Sequence, residues 1–131
     1  PMNAVRAYVF TLFLALLTGV MGILCLPAVL LGPEAARAVI KIWAHVALAA
    51  LKLVCGVSHR ILGAEHLPTG AAIVAANHQS MWETVALYAI LERPVMVFKK
   101  ELLTIPIYGW WARATGGMID RDAGAKAIRA L

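Results

Sequence analysis

The chain has 131 residues, 62% of them hydrophobic and only 15% charged, and its mean hydropathy is +0.80. Ordinary soluble domains carry roughly 45–50% apolar residues, so the composition argues against a simple soluble globule. The net charge of +5 comes without any run of Lys and Arg interleaved with aromatics. That points away from a nucleic-acid partner and toward an anionic membrane surface or a phosphorylated substrate.

The apolar excess sits in the first third. Tyr8 to Leu31 carries no charge, and its 24 residues exceed the roughly 20 needed to cross a bilayer core. The run is too long for the apolar region of a signal peptide. Leu26-Pro27-Ala28, the nearest cleavage pattern, is followed by more apolar residues, so the segment reads as retained in a membrane. Gly32-Pro33-Glu34 is a turn, and residues 35–57 form a second helix of different character. At the helical repeat Arg37, Lys41, His45 and Lys52 fall within a stripe about 80° wide, with nearly everything else apolar. Such a helix suits the membrane interface, basic face toward headgroups; the competing reading is a second span whose lysines snorkel. Lys41 and His45 lie away from the helix ends, which favours the interface. Together the two segments predict a helical hairpin anchoring the chain over residues 1–57. Cys25 and Cys55 lie in apolar helical pattern without metal-ligand spacing and read as buried small hydrophobes.

From Ser58 the pattern changes. Residues 58–63 are a candidate strand, followed by a loop through Glu65-His66-Leu67-Pro68-Thr69-Gly70 and a short apolar strand over 71–76. Then come a helix over 80–91, a strand over 94–98, a helical stretch from about 101 to 114 interrupted near Pro106, and a strand around 117–120. Strands alternating with helices predict an α/β layer around a sheet. Residues 58–131 make a small unit for a closed α/β core, so the chain is expected to stop inside its second domain. His59, beside Arg60 on an edge strand, and His66, in the loop, read as solvated.

The stretch with most chemical content is Asn77-His-Gln-Ser-Met-Trp-Glu83, where a strand gives way to a helix start. Ser80-Met-Trp-Glu83 is a capping box, S-x-x-E, in which the acid folds back onto the N-cap amide. The same residues place an imidazole before the helix and a carboxylate inside its first turn, the minimum for a general base with an orienting acid. Residues five apart within one regular helix diverge by about 140°, so the pair meets only if His78 precedes the helix, as the Ser80 cap implies. One local geometry serves both readings, and the heptapeptide alone leaves them open.

Three segments in order, Asn77-His78-Gln79-Ser80 followed by an acid, Lys99-Lys-Glu-Leu-Leu-Thr-Ile-Pro-Ile-Tyr-Gly-Trp110, and Gly116-Gly-Met-Ile-Asp-Arg121, resemble the glycerophospholipid acyltransferase family, in particular the bacterial 1-acylglycerol-3-phosphate acyltransferases. The resemblance runs from about residue 58 to the end and fits an N-terminal anchor followed by the first part of an acyltransferase α/β domain. It implies transfer of a fatty acyl group from acyl-CoA or acyl carrier protein to the free sn-2 hydroxyl of lysophosphatidic acid, without a metal, cofactor or covalent acyl-enzyme. It implies His78 as the general base and Glu83 as the acid that orients it, with Ser80 a cap and not a nucleophile. It also implies residence at the inner membrane with the catalytic part on the cytoplasmic side.

The sequence departs from the family pattern in three respects. The acid of the H-x4-D motif is Glu83, one methylene longer than Asp. The interval between Gly116-Gly117 and Asp120-Arg121 is about a residue short. The family's Glu-Gly-Thr-Arg-like substrate motif and later proline motif are not within these residues, so part of the site is expected to be missing. As substrate-binding residues the resemblance singles out Arg121, whose guanidinium matches phosphate oxygens or else pairs with Asp120 or Asp122. It adds Gly117, and one of Lys99 and Lys100 at a strand end, Lys100 by preference. Tyr108, Trp110 and Trp111 belong to the membrane interface, an acyl path or the core, and Trp82 packs beneath its helix. Two further readings stand beside this one: a non-catalytic, membrane-anchored protein that binds anionic lipid, and a related acyltransferase acting on glycerol-3-phosphate or another lysolipid.

Overall fold

The computed structural model describes residues 4–119. Helix α1 (Ala4–Leu24) and the short α2 (Pro27–Leu31) replace the single apolar helix expected over 8–31. Proline at 27 has no N–H to continue the ladder, so the helix tightens and breaks before it. Cys25 still bonds Met21, but Leu26 N–H bonds Ile23 at 3.2 Å, leaving the Gly22 carbonyl outside the backbone ladder. The chain then turns at Gly32, whose φ of 116° is open to glycine alone, into α3 (Pro33–Ala50). A π-helical turn, Leu51–Cys55, extends α3 and ends on Gly56 in the left-handed conformation.

The hairpin is antiparallel. Cys55 Sγ lies 3.7 Å from the carbonyl of Arg6 at one end, and Trp43 Nε1 donates to Thr18 Oγ1 at 3.1 Å midway. Both cysteines are free. Helix α1 buries no side chain of its own; Tyr8, Leu12, Leu16 and Val20 all stand exposed. The helices Ala4–Leu24 and Pro33–Cys55 are long and apolar enough to cross a membrane.

The basic stripe on α3 meets a different surface from the one expected. Helix α4 (Met81–Ile90) runs antiparallel to α3 and packs its Val85 and Tyr88 on Ala44 and Ala47, with Leu14, Leu17, Trp43 and Met96 around them. The alanines let the two backbones approach closely. Arg37 therefore pairs with Glu34 at 2.6 Å, and Glu34 also takes Arg93 at 2.9 Å. Lys41 Nζ reaches the carbonyl of Leu91 at 3.4 Å, a cation at the C-terminal end of α4. Arg37 and Lys41 serve this contact, while His45 and Lys52 stay exposed. Helical spacing placed them on one face correctly; what would cover that face lay fifty residues further on.

Beyond Gly56 the expected strands over 58–63 and 71–76 do not form. Both segments are irregular and exposed, with one turn of 3-10 helix, Ala64–His66, between them. A strand needs a neighbour to take its N–H and C=O groups, and none lies beside them among the described residues. The sheet described is one parallel pair, β1 (Val97–Lys99) and β2 (Gly117–Ile119), in register Val97↔Gly117, Phe98↔Met118 and Lys99↔Ile119. The wider α/β layer is thus not shown, and the described chain is mainly helical. The crossover between the strands is a 3-10 turn, Lys100–Thr104, followed by α5 (Tyr108–Thr115). This is the helical stretch expected over 101–114, interrupted at Pro106 as its position implies.

Helix α5 docks on the hairpin. Trp111 is buried, and its indole donates at 3.0 Å to the Gly22 carbonyl that the break in α1 set free. Replacing Trp111 by Phe strands that carbonyl, and we expect a loss of about 2 kcal/mol, seen as a lower midpoint in thermal unfolding of the detergent-solubilised protein. An unchanged midpoint would show that the contact contributes nothing. Tyr108 and Trp110 on the same helix are exposed, so of the three aromatics only Trp111 belongs to the core.

Candidate active site

His78 precedes α4 and Glu83 lies in its first turn, and the structure brings them together. Ser80 is the N-cap, with extended backbone (φ −154°, ψ −177°) and its Oγ accepting from Trp82 N–H at 3.1 Å. Glu83 at the third helical position folds back, and its Oε1 accepts from Ser80 N–H at 2.8 Å while Oε2 accepts from Ser80 Oγ at 2.9 Å. The same Oε1 lies 2.6 Å from His78 Nδ1. The capping box and the histidine–acid pair are therefore both present in one arrangement, sharing the carboxylate.

The electrostatics assign the roles. The Ser80 backbone N–H draws the Glu83 carboxyl down most strongly; burial opposes it, and its own backbone N–H, the Ser80 hydroxyl and His78 add to the lowering, to about 2. Glu83 is thus ionised throughout the working range, aided by its place at a helix N-terminus. An ionised carboxylate only accepts, so the contact needs a proton on Nδ1; in the neutral tautomer that satisfies it, the lone pair is on Nε2. The exposures are opposite: the Glu83 side chain is 15% exposed and the His78 side chain 72%. A shielded anion thus holds a largely exposed imidazole, the arrangement that general-base catalysis would need.

The remaining expected residues do not gather around this pair. Lys100 opens the 3-10 turn after β1 and, with Glu101, Thr104, Arg113 and Gly116, lines a cavity of about 600 Å³. The dyad is not part of its wall. Gly117 begins β2 opposite Val97, and Arg121 lies outside the described residues. Two arrangements escaped the sequence reading. Arg113 lines the Lys100 cavity, and only the docked position of α5 reveals it. Trp82, half-buried, meets the ring of His59 edge-on with centroids 5.3 Å apart, which places His59 beside the motif while it stays exposed, as expected. Because α4 is antiparallel to α3, the dyad stands toward the C-terminal end of α3, away from the turn at Gly32.

Residues 58–131, more than half of the chain, match the family model described as Acyltransferase. The 1-acyl-sn-glycerol-3-phosphate acyltransferase of Pseudomonas aeruginosa is 32% identical over 132 residues, covering 98% of this chain and 51% of that protein. The chain thus spans about half the length of this relative. No solved structure matches it.

Proposed function

The chain belongs to the glycerophospholipid acyltransferase family, and on that premise we propose that it carries the catalytic dyad of an enzyme acylating the sn-2 hydroxyl of lysophosphatidic acid. The observation that carries the reading is the 2.6 Å contact of His78 Nδ1 with an ionised Glu83, on an imidazole that is largely exposed. Nε2 takes the acceptor's hydroxyl proton as its oxygen attacks the thioester carbonyl of acyl-CoA or acyl carrier protein. Glu83 stabilises the imidazolium that forms. The tetrahedral carbon collapses, the C–S bond breaks, and the thiolate leaves with the proton that His78 returns. A thiolate is a good leaving group, so the sequence needs no nucleophilic side chain and no metal or cofactor. Lys100, Gly117 and Arg121 hold the acceptor phosphate. Residues 1–57 anchor the protein in the inner membrane, and residues 58–131 form the first part of an α/β catalytic domain on its cytoplasmic side, with β1 and β2 as the start of the sheet.

The reading as a lipid-binding protein without turnover rests on a displayed basic face. It draws less support because Arg37 is engaged by Glu34 and Lys41 by Leu91. The test is turnover by the complete protein in mixed micelles, with acyl-CoA and acyl carrier protein donors offered in turn. We expect lysophosphatidic acid to be esterified with stoichiometric thiol release, and glycerol-3-phosphate to be a poor acceptor. Preference for glycerol-3-phosphate would move the assignment to that branch of the family. Binding to anionic vesicles with no thiol release from either donor would favour the lipid-binding reading.

A further inference from the structure

We infer that Ser80 is a positioning residue of the dyad: its hydroxyl and backbone N–H together aim the Glu83 carboxylate at His78. The inference rests on the acyl-transfer reading and deepens it. An ordinary capping box asks the N-cap oxygen only to accept from the first turn, and asks the acid to accept from the N-cap amide. Here Ser80 Oγ accepts from Trp82 N–H at 3.1 Å and, beyond that requirement, directs its own proton to Glu83 Oε2 at 2.9 Å. Both carboxylate oxygens are thereby held from one residue, Oε1 by the amide at 2.8 Å and Oε2 by the hydroxyl.

The second bond fixes the rotation of the carboxylate. With the amide alone, the carboxylate pivots about its terminal bond, and the oxygen shared with His78 is no longer specified. With both, the remaining lone-pair direction of Oε1 points at Nδ1, where the 2.6 Å contact is found. The hold matters more for Glu83 than for the aspartate usual at this position, since the extra methylene adds a rotatable bond whose freedom opposes a fixed geometry. Trp82 extends the chain of contacts on the far side, its amide on Ser80 and its ring against His59. Ser80 touches neither donor nor acceptor and acts only through the acid.

The complete protein carrying Ser80→Gly, Ser80→Thr and Ser80→Gly with Glu83→Gln tests this. Glycine remains an acceptable N-cap, so α4 is retained while the hydroxyl is lost; threonine restores the hydroxyl. We expect Ser80→Gly to lower kcat roughly tenfold with KM nearly unchanged, and Ser80→Thr to return to within about twofold of wild type. In the Glu83→Gln background Ser80→Gly should cause no further loss, because its effect passes through the carboxylate. A readout independent of turnover is the hydrogen-bonded Nδ1 proton of His78 by NMR in micelles, lost in Ser80→Gly and kept in Ser80→Thr. Wild-type kcat in Ser80→Gly, equal losses in Gly and Thr, or multiplicative losses in the double variant would overturn the inference. If the unmodified protein shows no acyl transfer, the functional reading falls by itself. The Nδ1 resonance then still decides, and its persistence in Ser80→Gly would dismiss Ser80 as a positioning group.

Discussion

His78→Ala in the complete protein is expected to lower kcat for acyl transfer by about 10²–10⁴-fold, the range supplied by general acid–base catalysis. KM should change little, since the imidazole acts on the hydroxyl proton and not on the phosphate or the acyl chain. His78 is largely exposed and pairs with Glu83, so the substitution opens no cavity and stability should stay within about 0.5 kcal/mol of wild type. Loss of rate without loss of fold is therefore the signature. Glu83→Gln separates the two roles of the acid. Glutamine serves a capping box as well as glutamate does, so α4 persists. The charge that stabilises the imidazolium is gone, and we expect a fall of roughly 10²-fold. Wild-type rates in His78→Ala would remove the mechanism altogether. Wild-type rates in Glu83→Gln would reduce the acid to a helix cap.

Gly109→Ala is expected to be the most damaging single methyl in the described chain. A Cβ on Gly109 would fall on the backbone of Leu103, onto its carbonyl oxygen and within 2.7 Å of its carbonyl carbon. Neither atom belongs to a side chain that can swing aside. The surroundings leave no slack. Tyr108 N–H bonds the Pro106 carbonyl at 2.7 Å, closing a γ-turn around Ile107, which sits at φ 67°. That is a strained conformation for a β-branched residue. Relief would have to separate α5 from the 3-10 turn that together line the Lys100 cavity. We expect a cost of about 3 kcal/mol or more, read as a lower midpoint in thermal unfolding, with weaker acceptor binding alongside it. Gly70→Ala is the control: its Cβ meets nothing within 4 Å, and its midpoint should not move. Equal midpoints for the two variants would refute the packing argument.

The parts legible in the sequence were those fixed by local chemistry. Uncharged length located the hairpin, Gly32 and Pro33 marked its turn, and Ser80 with Glu83 marked the start of α4, whereas the break before Pro27 was not anticipated. Because that cap fixes the chain direction before the helix, it also brought His78 to the acid, although the heptapeptide alone could not say which use mattered. What stayed illegible depended on partners remote in sequence. Residues 71–76 have the apolar run of a buried strand, yet Ile73 is almost fully exposed; composition reports a tendency to be covered, not the presence of a cover. Arg37 and Lys41 were correctly placed on one face and given the wrong neighbour, since nothing near them announces Leu91 or Arg93. Arg113 gave no signal at all, because only the docking of Trp111 on Gly22 brings its helix to the cavity.

That docking, with the packing of α4 on α3, has a practical consequence. Ala44 and Ala47, which form the floor under the dyad's helix, come from the apolar hairpin. The hairpin is consequently no leash that can be cut without cost to the rest of the fold. Removing it would strip one wall from the core on which His78 and Glu83 are mounted. Any inhibitor or lipid environment that shifts α3 relative to α1 has a mechanical route to the chemistry without touching a single reacting atom.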